Sequence, residues 1–289
     1  MNIFEEYKDM ADLSLTPITG ACGVEIAGVQ VGNLSNSEFS SVHDALMQYG
    51  MVFFRDQDLT LEQQVEFGQK FGSLEVHPIV DGMDGAREIT KVLKPAGESA
   101  SFGTGWHTDN SFFEKPSMGS VLYGKTIPPV GGDTLFANQY LAYDRLSDKM
   151  KETLLGMNAV HSASRAYTTE TTKDKYAKNA AITYTWDDSI MDEVVHPVIR
   201  THPVTGRKAL YVNDMFTLRI EDMSEAESRG LLDYLFQHAT RPEFCCRVRW
   251  TPNAVALWDN RCMQHYAVDD YQEYERLMYR VTIEGDRPA

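Results

Sequence analysis

The chain has 289 residues, of which 43% are hydrophobic and 24% are charged, as in an ordinary folded globular protein. Its formal net charge of −15 argues against nucleic acid and anionic membrane surfaces as partners, since both attract basic proteins. No apolar run approaches the roughly 18 residues of a membrane span, and the N-terminus lacks the pattern of a signal peptide. The four cysteines show no zinc-type spacing. These features predict a cytoplasmic protein with reduced thiols.

Four segments carry the signals of a capped helix, and they begin at Ser35, Thr60, Ser147 and Ser224. In three of them a Glu or Gln follows the cap by three residues, which is the spacing of a capping box. The first helix is predicted to end at Gly50, the second near Gly72 and the last near His238.

Short apolar and β-branched runs separated by turn residues predict strands in much of the remaining chain. The predicted strands cover 51–54, 120–124, 134–137, 209–212, 245–250, 255–258 and 277–283. Residues 251–253 are interpreted as the turn of a hairpin between the two strands that flank them. Strands in this number, with helices mostly at the front, predict a mostly β fold with flanking helices, namely a double-stranded β-helix or jelly roll.

The segment from Ser164 to Glu193 is polar and irregular. Long irregular segments in compact proteins are often functional, so 164–193 is predicted to be a lid insertion within a single domain spanning 1–289. A plain surface insertion is the alternative interpretation.

His107 and Asp109 are the first candidate metal ligands. Residues two apart on a strand share a face, so both side chains are predicted to enter one pocket while Trp106 and Thr108 point out. The third ligand, His265, has to come from a distant strand. Two imidazoles and one carboxylate leave one face of a metal open, which suits a non-haem Fe(II) centre that also binds a co-substrate and O₂. A structural histidine is the alternative for His107 taken alone.

Two arginines on the last predicted strand extend this pattern. Arg276 and Arg280 are four residues apart and therefore share a face of the strand. A planar guanidinium matches the two oxygens of a carboxylate, so an anion bound to both metal and arginine is predicted. Thr134 follows Gly131-Gly132-Asp133 and is placed to add a hydroxyl donor, although it is also an ordinary strand residue. The alternative for Arg280 is an ion pair with a protein carboxylate.

These motifs occur together and in a recognisable order. They are Trp106-His107-Thr108-Asp109, Gly131-Gly132-Asp133-Thr134, Trp258-Asp259-Asn260-Arg261, His265, Arg276 and Arg280. On these motifs the chain resembles the taurine/2-oxoglutarate dioxygenase (TauD/TfdA) family, and the resemblance extends from about Leu15 to Pro288. Two further stretches, 53–57 and 196–203, fit the same family pattern.

The resemblance implies a cofactor set and a role for each motif. His107, Asp109 and His265 would ligate Fe(II), and 2-oxoglutarate would chelate the same ion. Arg276 and Thr134 would hold the far carboxylate of 2-oxoglutarate. The implied reaction consumes O₂, releases succinate and CO₂ and hydroxylates a small organic substrate, with the metal carrying the difficult step.

The resemblance also implies where the substrate lies. In the taurine enzyme a histidine before a proline and a second arginine contact the sulfonate, and His77 and Arg280 match these two residues. Val80 and Gly103 replace a tyrosine and an asparagine of that pocket, which argues against taurine itself. A small anionic substrate, such as another sulfonate or an organic acid, is therefore expected.

Further hypotheses stay open at the level of sequence. The same cofactors could end in desaturation or another oxidation, because the outcome depends on where the substrate C–H bond is placed. A non-catalytic jelly roll stabilised by a metal would use the same three ligands. The family resemblance favours a homodimer or homotetramer. Four further histidines show no partner pattern and are predicted to be structural: His161, His196, His202 and His238.

Overall fold

The computed structural model describes residues 13–76, 82–83, 85–98, 103–167 and 191–289. The α-helices of this part of the chain are α1 (Asn36–Tyr49), α2 (Leu61–Gln69), α3 (Gln139–Asp144), α4 (Asp148–Leu154), α5 (Ser164–Tyr167) and α6 (Glu225–Ala239). Its strands are β1 (Ser14–Pro17), β2 (Val24–Ala27), β3 (Met51–Phe54), β4 (Leu74–Glu75), β5 (Ile89–Lys94), β6 (Gly119–Thr126), β7 (Thr134–Asn138), β8 (Asn158–His161), β9 (Val194–Pro197), β10 (Ile199–Thr201), β11 (Lys208–Leu210), β12 (Thr217–Ile220), β13 (Cys245–Val248), β14 (Val255–Asp259), β15 (Met263–Ala267) and β16 (Arg276–Ile283).

Two facing sheets form the centre of the molecule. The larger has eight strands in the order β1-β2-β3-β14-β6-β16-β4, with β5 also paired to β16, and the smaller has the order β13-β7-β15. Phe53 of β3, Phe136 of β7 and Met263 of β15 belong to one buried apolar cluster, so the two sheets pack face to face. This double sheet with helices around it confirms the predicted jelly-roll class.

The strand β14 is buried on both faces and lies between β3 and β6 in the larger sheet. Its Ala256 and Trp258 face the smaller sheet, whereas Val255 and Leu257 pack on the side covered by α1 and α2. Burial of both faces explains why this strand is a continuous apolar run. A slip of one residue would exchange the two sets of side chains, so the register of β14 is strongly specified.

The predicted capping boxes are present at the starts of α1, α2 and α6. In α1 the Ser35 hydroxyl accepts from the backbone N–H of Glu38, whose carboxylate accepts from the backbone N–H of Ser35. The helix ends where Gly50 adopts a left-handed conformation with φ of 73°. The second helix ends at Gln69, just before the predicted stop. Helix α3 was not predicted, because its six residues are too short to show a helical period.

The hairpin predicted around residues 251–253 is wrong. Strand β13 pairs with β7 in the smaller sheet, whereas β14 pairs with β3 and β6 in the larger one. The turn therefore carries the chain from one sheet to the other. Asn253 enables this passage with a φ of 62°, and its backbone N–H donates to the carbonyl of Gly124.

The predicted lid falls largely outside the described residues. Of the segment 164–193, only the short helix α5 at its start and residues 191–193 at its end are described. None of the described helices is both long enough and apolar enough to cross a membrane.

We predict that Gly50→Ala destabilises the fold by about 1–3 kcal/mol, because a non-glycine residue is strained in the left-handed region. A Cβ at position 50 would also lie 2.5 Å from the sulfur of Met263. Chemical unfolding monitored by circular dichroism measures the change. Gly230→Ala is the matched control, since Gly230 lies inside α6 with nothing near its missing Cβ, and it should stabilise by about 0.5–1 kcal/mol. Equal effects of both substitutions would contradict this account of Gly50.

Candidate active site

The structure brings His107, Asp109 and His265 together. The Nε2 atoms of His107 and His265 lie 3.6 Å and 3.7 Å from the same oxygen, Oδ1 of Asp109. The two imidazole rings are 4.1 Å apart between centroids, and all three side chains are almost fully buried. Backbone pairing supplies the third residue, because the N–H groups of His107 and His265 each donate to the other's carbonyl, at 3.1 Å and 2.8 Å.

The local conformation around the first two ligands differs from the prediction. His107 forms one isolated bridge to His265, and the chain then turns through Asn110, which has a φ of 55°. Thr108 does not point outwards: it is buried, and its hydroxyl donates to the carbonyl of Met263 at 3.1 Å. Trp106 is partly buried beside Tyr266. His107 and Asp109 therefore converge through a turn and not through the alternation of a strand.

Hydrogen bonds orient the candidate ligand atoms. The Nδ1–H of His107 donates to the carbonyl of Gly105 at 2.8 Å, so its Nε2 carries the free lone pair. Oδ2 of Asp109 accepts from the hydroxyl of Ser120 at 2.8 Å and from the amide of Asn260 at 3.4 Å. The other oxygen, Oδ1, is left facing the two histidines.

Electrostatics and burial keep Asp109 and His265 free of protons at neutral pH. Burial opposes a charge on Asp109, but the Arg280 guanidinium, together with the two histidines, outweighs burial and holds the carboxyl pKa well below its usual range. Burial, aided by the nearby His107, lowers the pKa of His265 to about 3. At neutral pH the site thus presents the imidazole of His265 and the carboxylate of Asp109 in the protonation states that bind a metal. This donor set fits a divalent metal with open positions.

Arg276 and Thr134 lie around a common tryptophan. The hydroxyl of Thr134 accepts from Nε1 of Trp250 at 2.9 Å, and the guanidinium of Arg276 lies 5.9 Å from the ring of Trp250. Arg276 is buried, its Nε has no hydrogen-bond partner among the described residues, and burial lowers its pKa. Gly132 leaves space for the Arg276 side chain, because a Cβ there would be 3.3 Å from Cδ of Arg276. A buried cation without an ion-pair partner among the described residues fits an anionic ligand.

Arg280 points to the metal site from the same face of β16. Its Nη1 lies 3.4 Å from Oδ1 of Asp109, whereas its Nε has no partner among the described residues. The ion pair with a protein carboxylate, which was the alternative for Arg280, is therefore present. His77, the other predicted substrate contact, lies outside the described residues.

Glu75 is a neighbour of this site that the sequence did not indicate. Its Oε2 accepts from the amide of Asn110 at 3.1 Å and from the hydroxyl of Ser117 at 3.0 Å. Burial raises the pKa of Glu75 to about 7, although both hydrogen bonds and Arg280 act in the opposite direction. Glu75 lies on the two-residue strand β4, which is too short to predict, so its place beside Asn110 follows only from the fold.

A second buried cluster of His202, Asp259 and Cys262 has the composition of a metal site. The carboxylate of Asp259 is already filled, because it accepts from Nε2 of His202 at 3.0 Å and from the guanidinium of Arg261 at 2.7 Å. Burial raises the pKa of the Cys262 thiol, which disfavours the thiolate that a metal needs. The cluster is thus a hydrogen-bonded structural network, in line with the structural role predicted for His202.

The jelly roll and its His-Asp-His centre define the class of this protein as a non-haem iron oxygenase. The family model for the taurine catabolism dioxygenase TauD, TfdA family matches residues 14–282. An α-ketoglutarate-dependent sulfate ester dioxygenase of Pseudomonas putida is 35% identical over 280 residues, covering 96% of this chain and 91% of its own length. An alkylsulfatase of Acinetobacter baylyi is 35% identical and covers 95% of this chain and 86% of its own.

A solved structure agrees with the sequence relatives. The taurine dioxygenase from Burkholderia xenovorans superimposes with a TM-score of 0.81 at 34% identity, covering 96% of this chain and 91% of that one. The chain therefore belongs to the TauD/TfdA family, as the sequence motifs indicated. It is an enzyme, a dioxygenase that depends on Fe(II) and 2-oxoglutarate and acts with O₂ on a small molecule.

We predict that Glu75→Gln makes the stability of the metal-free protein less sensitive to pH between about 4.5 and 7. The folded parent keeps a proton on Glu75 that the unfolded chain releases in this window, so its stability falls as the pH rises. Glutamine does not titrate. The difference in the free energy of unfolding between the variant and the parent should therefore grow by about 1–3 kcal/mol, in favour of the variant, as the pH rises across this window. Urea unfolding at several pH values measures this gain.

The control for this experiment is Glu114→Gln, which removes the same charge from an exposed ion pair with Arg287. It should leave the shape of the stability profile unchanged. Parallel profiles for the parent and Glu75→Gln would show that the Glu75 carboxyl is not held protonated.

Proposed function

We propose that this dioxygenase hydroxylates a small organic monoanion, namely a sulfate ester or a sulfonate, at the carbon next to the charged group. His107, Asp109 and His265 hold Fe(II) in this proposal. Bound iron supplies the oxidising chemistry with O₂ and 2-oxoglutarate. The chain's own residues bind and orient the reactants and keep the pocket dry.

Arg276 and Thr134 bind the far carboxylate of 2-oxoglutarate in the proposed site. The support for this assignment is the buried guanidinium of Arg276 with its unpartnered Nε, beside a tryptophan that also orients the Thr134 hydroxyl. A hydroxyl that accepts from Trp250 has its own proton free to donate to a ligand oxygen. A carboxylate at this position would satisfy both groups and compensate the buried charge.

The observation that carries the anionic substrate is the pair of buried guanidiniums on β16. Arg276 and Arg280 are each less than a tenth exposed, and Asp109 is the one carboxylate ion-paired to either of them among the described residues. With Glu75 counted as protonated, Fe(II) and two arginines exceed the charge of Asp109 by about three, and 2-oxoglutarate neutralises two of these charges. Roughly one positive charge is left, and buried charges are costly unless paired. A substrate with a single negative charge would neutralise this remaining positive charge.

The relatives favour sulfur oxyanions over other anions. The names of the Pseudomonas putida and Acinetobacter baylyi relatives specify sulfate esters and alkyl sulfates. Sulfate monoesters and sulfonates are monoanions at neutral pH, in agreement with the charge balance. Arg280 is the proposed contact for the sulfur oxyanion, and His77 is proposed as the second on the family pattern alone.

Gly103 supports a substrate larger than taurine. It adopts a left-handed φ of 76°, and a Cβ there would stand 3.4 Å from Cε1 of His107. The glycine therefore leaves open the space beside the first candidate ligand, which the asparagine of the taurine enzyme would narrow. An extended alkyl or aryl group is therefore proposed in place of the short, polar chain of taurine.

The proposed product explains how a sulfate ester is cleaved. Hydroxylation of the carbon that carries the sulfate gives an unstable hydroxy ester, which collapses to an aldehyde and inorganic sulfate. The oxidant is O₂, and 2-oxoglutarate supplies the matching electrons as it becomes succinate and CO₂. Desaturation is the second outcome, and product mass separates a gain of one oxygen from a loss of two hydrogens.

The assembly and location are further parts of this proposal. We propose that residues 1–289 form one catalytic domain that works as a dimer or tetramer in the cytoplasm. The four cysteines are free thiols in the structure, in agreement with a reducing compartment. Light scattering of the purified protein measures the assembly.

We predict that Arg276→Met weakens 2-oxoglutarate binding by about 30-fold or more, since losing a buried charge-assisted pair costs about 2–5 kcal/mol. Calorimetric titration of 2-oxoglutarate into the Mn(II)-loaded protein without O₂ measures this change. Arg229→Met, on the exposed face of α6, is the control and should bind normally. Unchanged affinity in Arg276→Met would remove Arg276 from the 2-oxoglutarate site.

We predict that hexyl sulfate or hexanesulfonate stimulates succinate release, whereas the neutral 1-hexanol does not. The Nε of the buried Arg280 has no partner among the described residues and is the proposed contact for the anion, so Arg280→Met should raise the KM for the active anion by at least about tenfold. Ion chromatography of sulfate and sulfite, run beside the succinate assay, identifies the leaving group. Equal stimulation by 1-hexanol would refute the anionic-substrate proposal, and stimulation by hexanoate alone would replace the sulfur oxyanion with a carboxylate.

A further inference from the structure

Asn260 touches one candidate iron ligand with both ends of its side chain. Its Nδ2 donates to Oδ2 of Asp109 at 3.4 Å, and its Oδ1 accepts from the backbone N–H of the same aspartate at 3.4 Å. Asn260 is only 1% exposed. An asparagine in this position holds the main chain and the carboxylate of Asp109 as one unit.

A second donor holds the same carboxylate oxygen from another strand. Ser120 of β6 is fully buried, and its hydroxyl donates to Oδ2 of Asp109 at 2.8 Å. With two donors on Oδ2, the carboxylate cannot rotate without breaking hydrogen bonds that water does not reach. Oδ1 is therefore the oxygen that faces the two histidines, and it also accepts from Nη1 of Arg280 at 3.4 Å.

Trp258 links this arrangement to the distant histidine. Its Nε1 donates to Oδ1 of Asn260 at 2.9 Å, which fixes which end of the asparagine amide faces Asp109. The same indole ring packs against the imidazole of His265, with 4.7 Å between centroids. One side chain thus supports both the carboxylate of Asp109 and the imidazole of His265, which lie far apart in the sequence.

The turn that carries Asn260 is itself rigidly held. The backbone N–H of Asn260 donates to the carbonyl of Met118 at 2.8 Å, and that of Asp259 donates to the carbonyl of Gly50 at 2.9 Å. The buried contacts of Asp259 with Arg261 and His202 fix the start of the turn. The buried network around Asp259 therefore holds Asn260, the residue that contacts Asp109, in place.

We propose that Asn260, Ser120 and Trp258 are positioning residues that force Asp109 to bind the metal through Oδ1 alone. Single-oxygen ligation would leave an additional coordination position free for 2-oxoglutarate or O₂. Without these residues the carboxylate can turn and offer both oxygens. This inference rests on the proposed function, because it takes His107, Asp109 and His265 as the ligands.

The test compares metal binding by Ser120→Ala, Asn260→Ala and Trp258→Phe with the parent. Mn(II) affinity is measured by electron paramagnetic resonance, and the visible spectrum of the Co(II) forms reports the coordination geometry. Loss of an outer contact to a ligand weakens metal binding by about 10–100-fold, and this range is expected for Ser120→Ala and Asn260→Ala. Trp258→Phe keeps a ring against His265 and should show a smaller loss with a changed Co(II) spectrum.

Asn138→Ala is the matched control. Asn138 is buried and caps α3 while donating to the carbonyl of Ala21, but it does not touch a candidate ligand. It should lower the melting temperature and leave the Mn(II) affinity unchanged. If Asn260→Ala does not fold, Ser120→Ala decides the question, since it removes a single hydroxyl.

Two results would separate failure of this inference from failure of the proposed ligands. Affinity within twofold of the parent for Ser120→Ala and Asn260→Ala, with His107→Ala unable to bind Mn(II), overturns the positioning role alone. Undiminished Mn(II) binding by His107→Ala overturns the ligand set and the inference with it. A loss for Asn138→Ala equal to that for Asn260→Ala also overturns the inference, because the effect would then follow general destabilisation.

Discussion

The buried carboxylate of Asp109 is the constraint around which the site is arranged. A lone negative charge in a protein interior is costly, so it must be paired with cations and hydrogen-bond donors. The structure supplies Arg280 at 3.4 Å, the Ser120 hydroxyl at 2.8 Å and the Asn260 amide at 3.4 Å. The imidazoles of His107 and His265 face Oδ1, the oxygen that also contacts Arg280. Compensation of this charge explains why polar residues lie between two otherwise apolar sheets.

Aromatic side chains exclude water from the candidate site and pack its polar residues tightly. Trp258 and Phe136 pack around His265, with the Phe136 ring 6.1 Å from the imidazole centroid. Trp250 and Tyr271 surround the guanidinium of Arg276. These rings belong to the sheet core and also exclude water from the charged groups, which strengthens each electrostatic contact. Core packing and site electrostatics are therefore produced by the same residues.

The arginines of β16 connect the fold to the choice of ligand. Alternation along one strand places Arg276 near the Thr134 hydroxyl and Arg280 near the metal site. Each has an Nε without a partner among the described residues. In the proposed function, two buried cations on a single strand define two anion positions a fixed distance apart, one for 2-oxoglutarate and one beside the metal. The fixed geometry of this strand can thus set the positions of co-substrate and substrate relative to each other.

The sequence alone determined what depends on short-range chemistry. Each capping box at Ser35, Thr60 and Ser224 joins residues only three positions apart, so the helix starts could be predicted from the sequence. The period of two likewise placed Arg276 and Arg280 on one face. The set of spaced motifs also identified the family, because few chains carry all of them in that order.

Tertiary structure decided what depends on pairing between distant segments. The sequence showed two flanking strands around residues 251–253, but only sheet pairing assigned them to different sheets. The same holds for Thr108, which is buried because the chain turns after the His107–His265 bridge. Glu75, Trp250 and Asn260 acquire their contacts across the fold. Hydrogen bonds between strands have no fixed spacing in sequence, so no local pattern could reveal them.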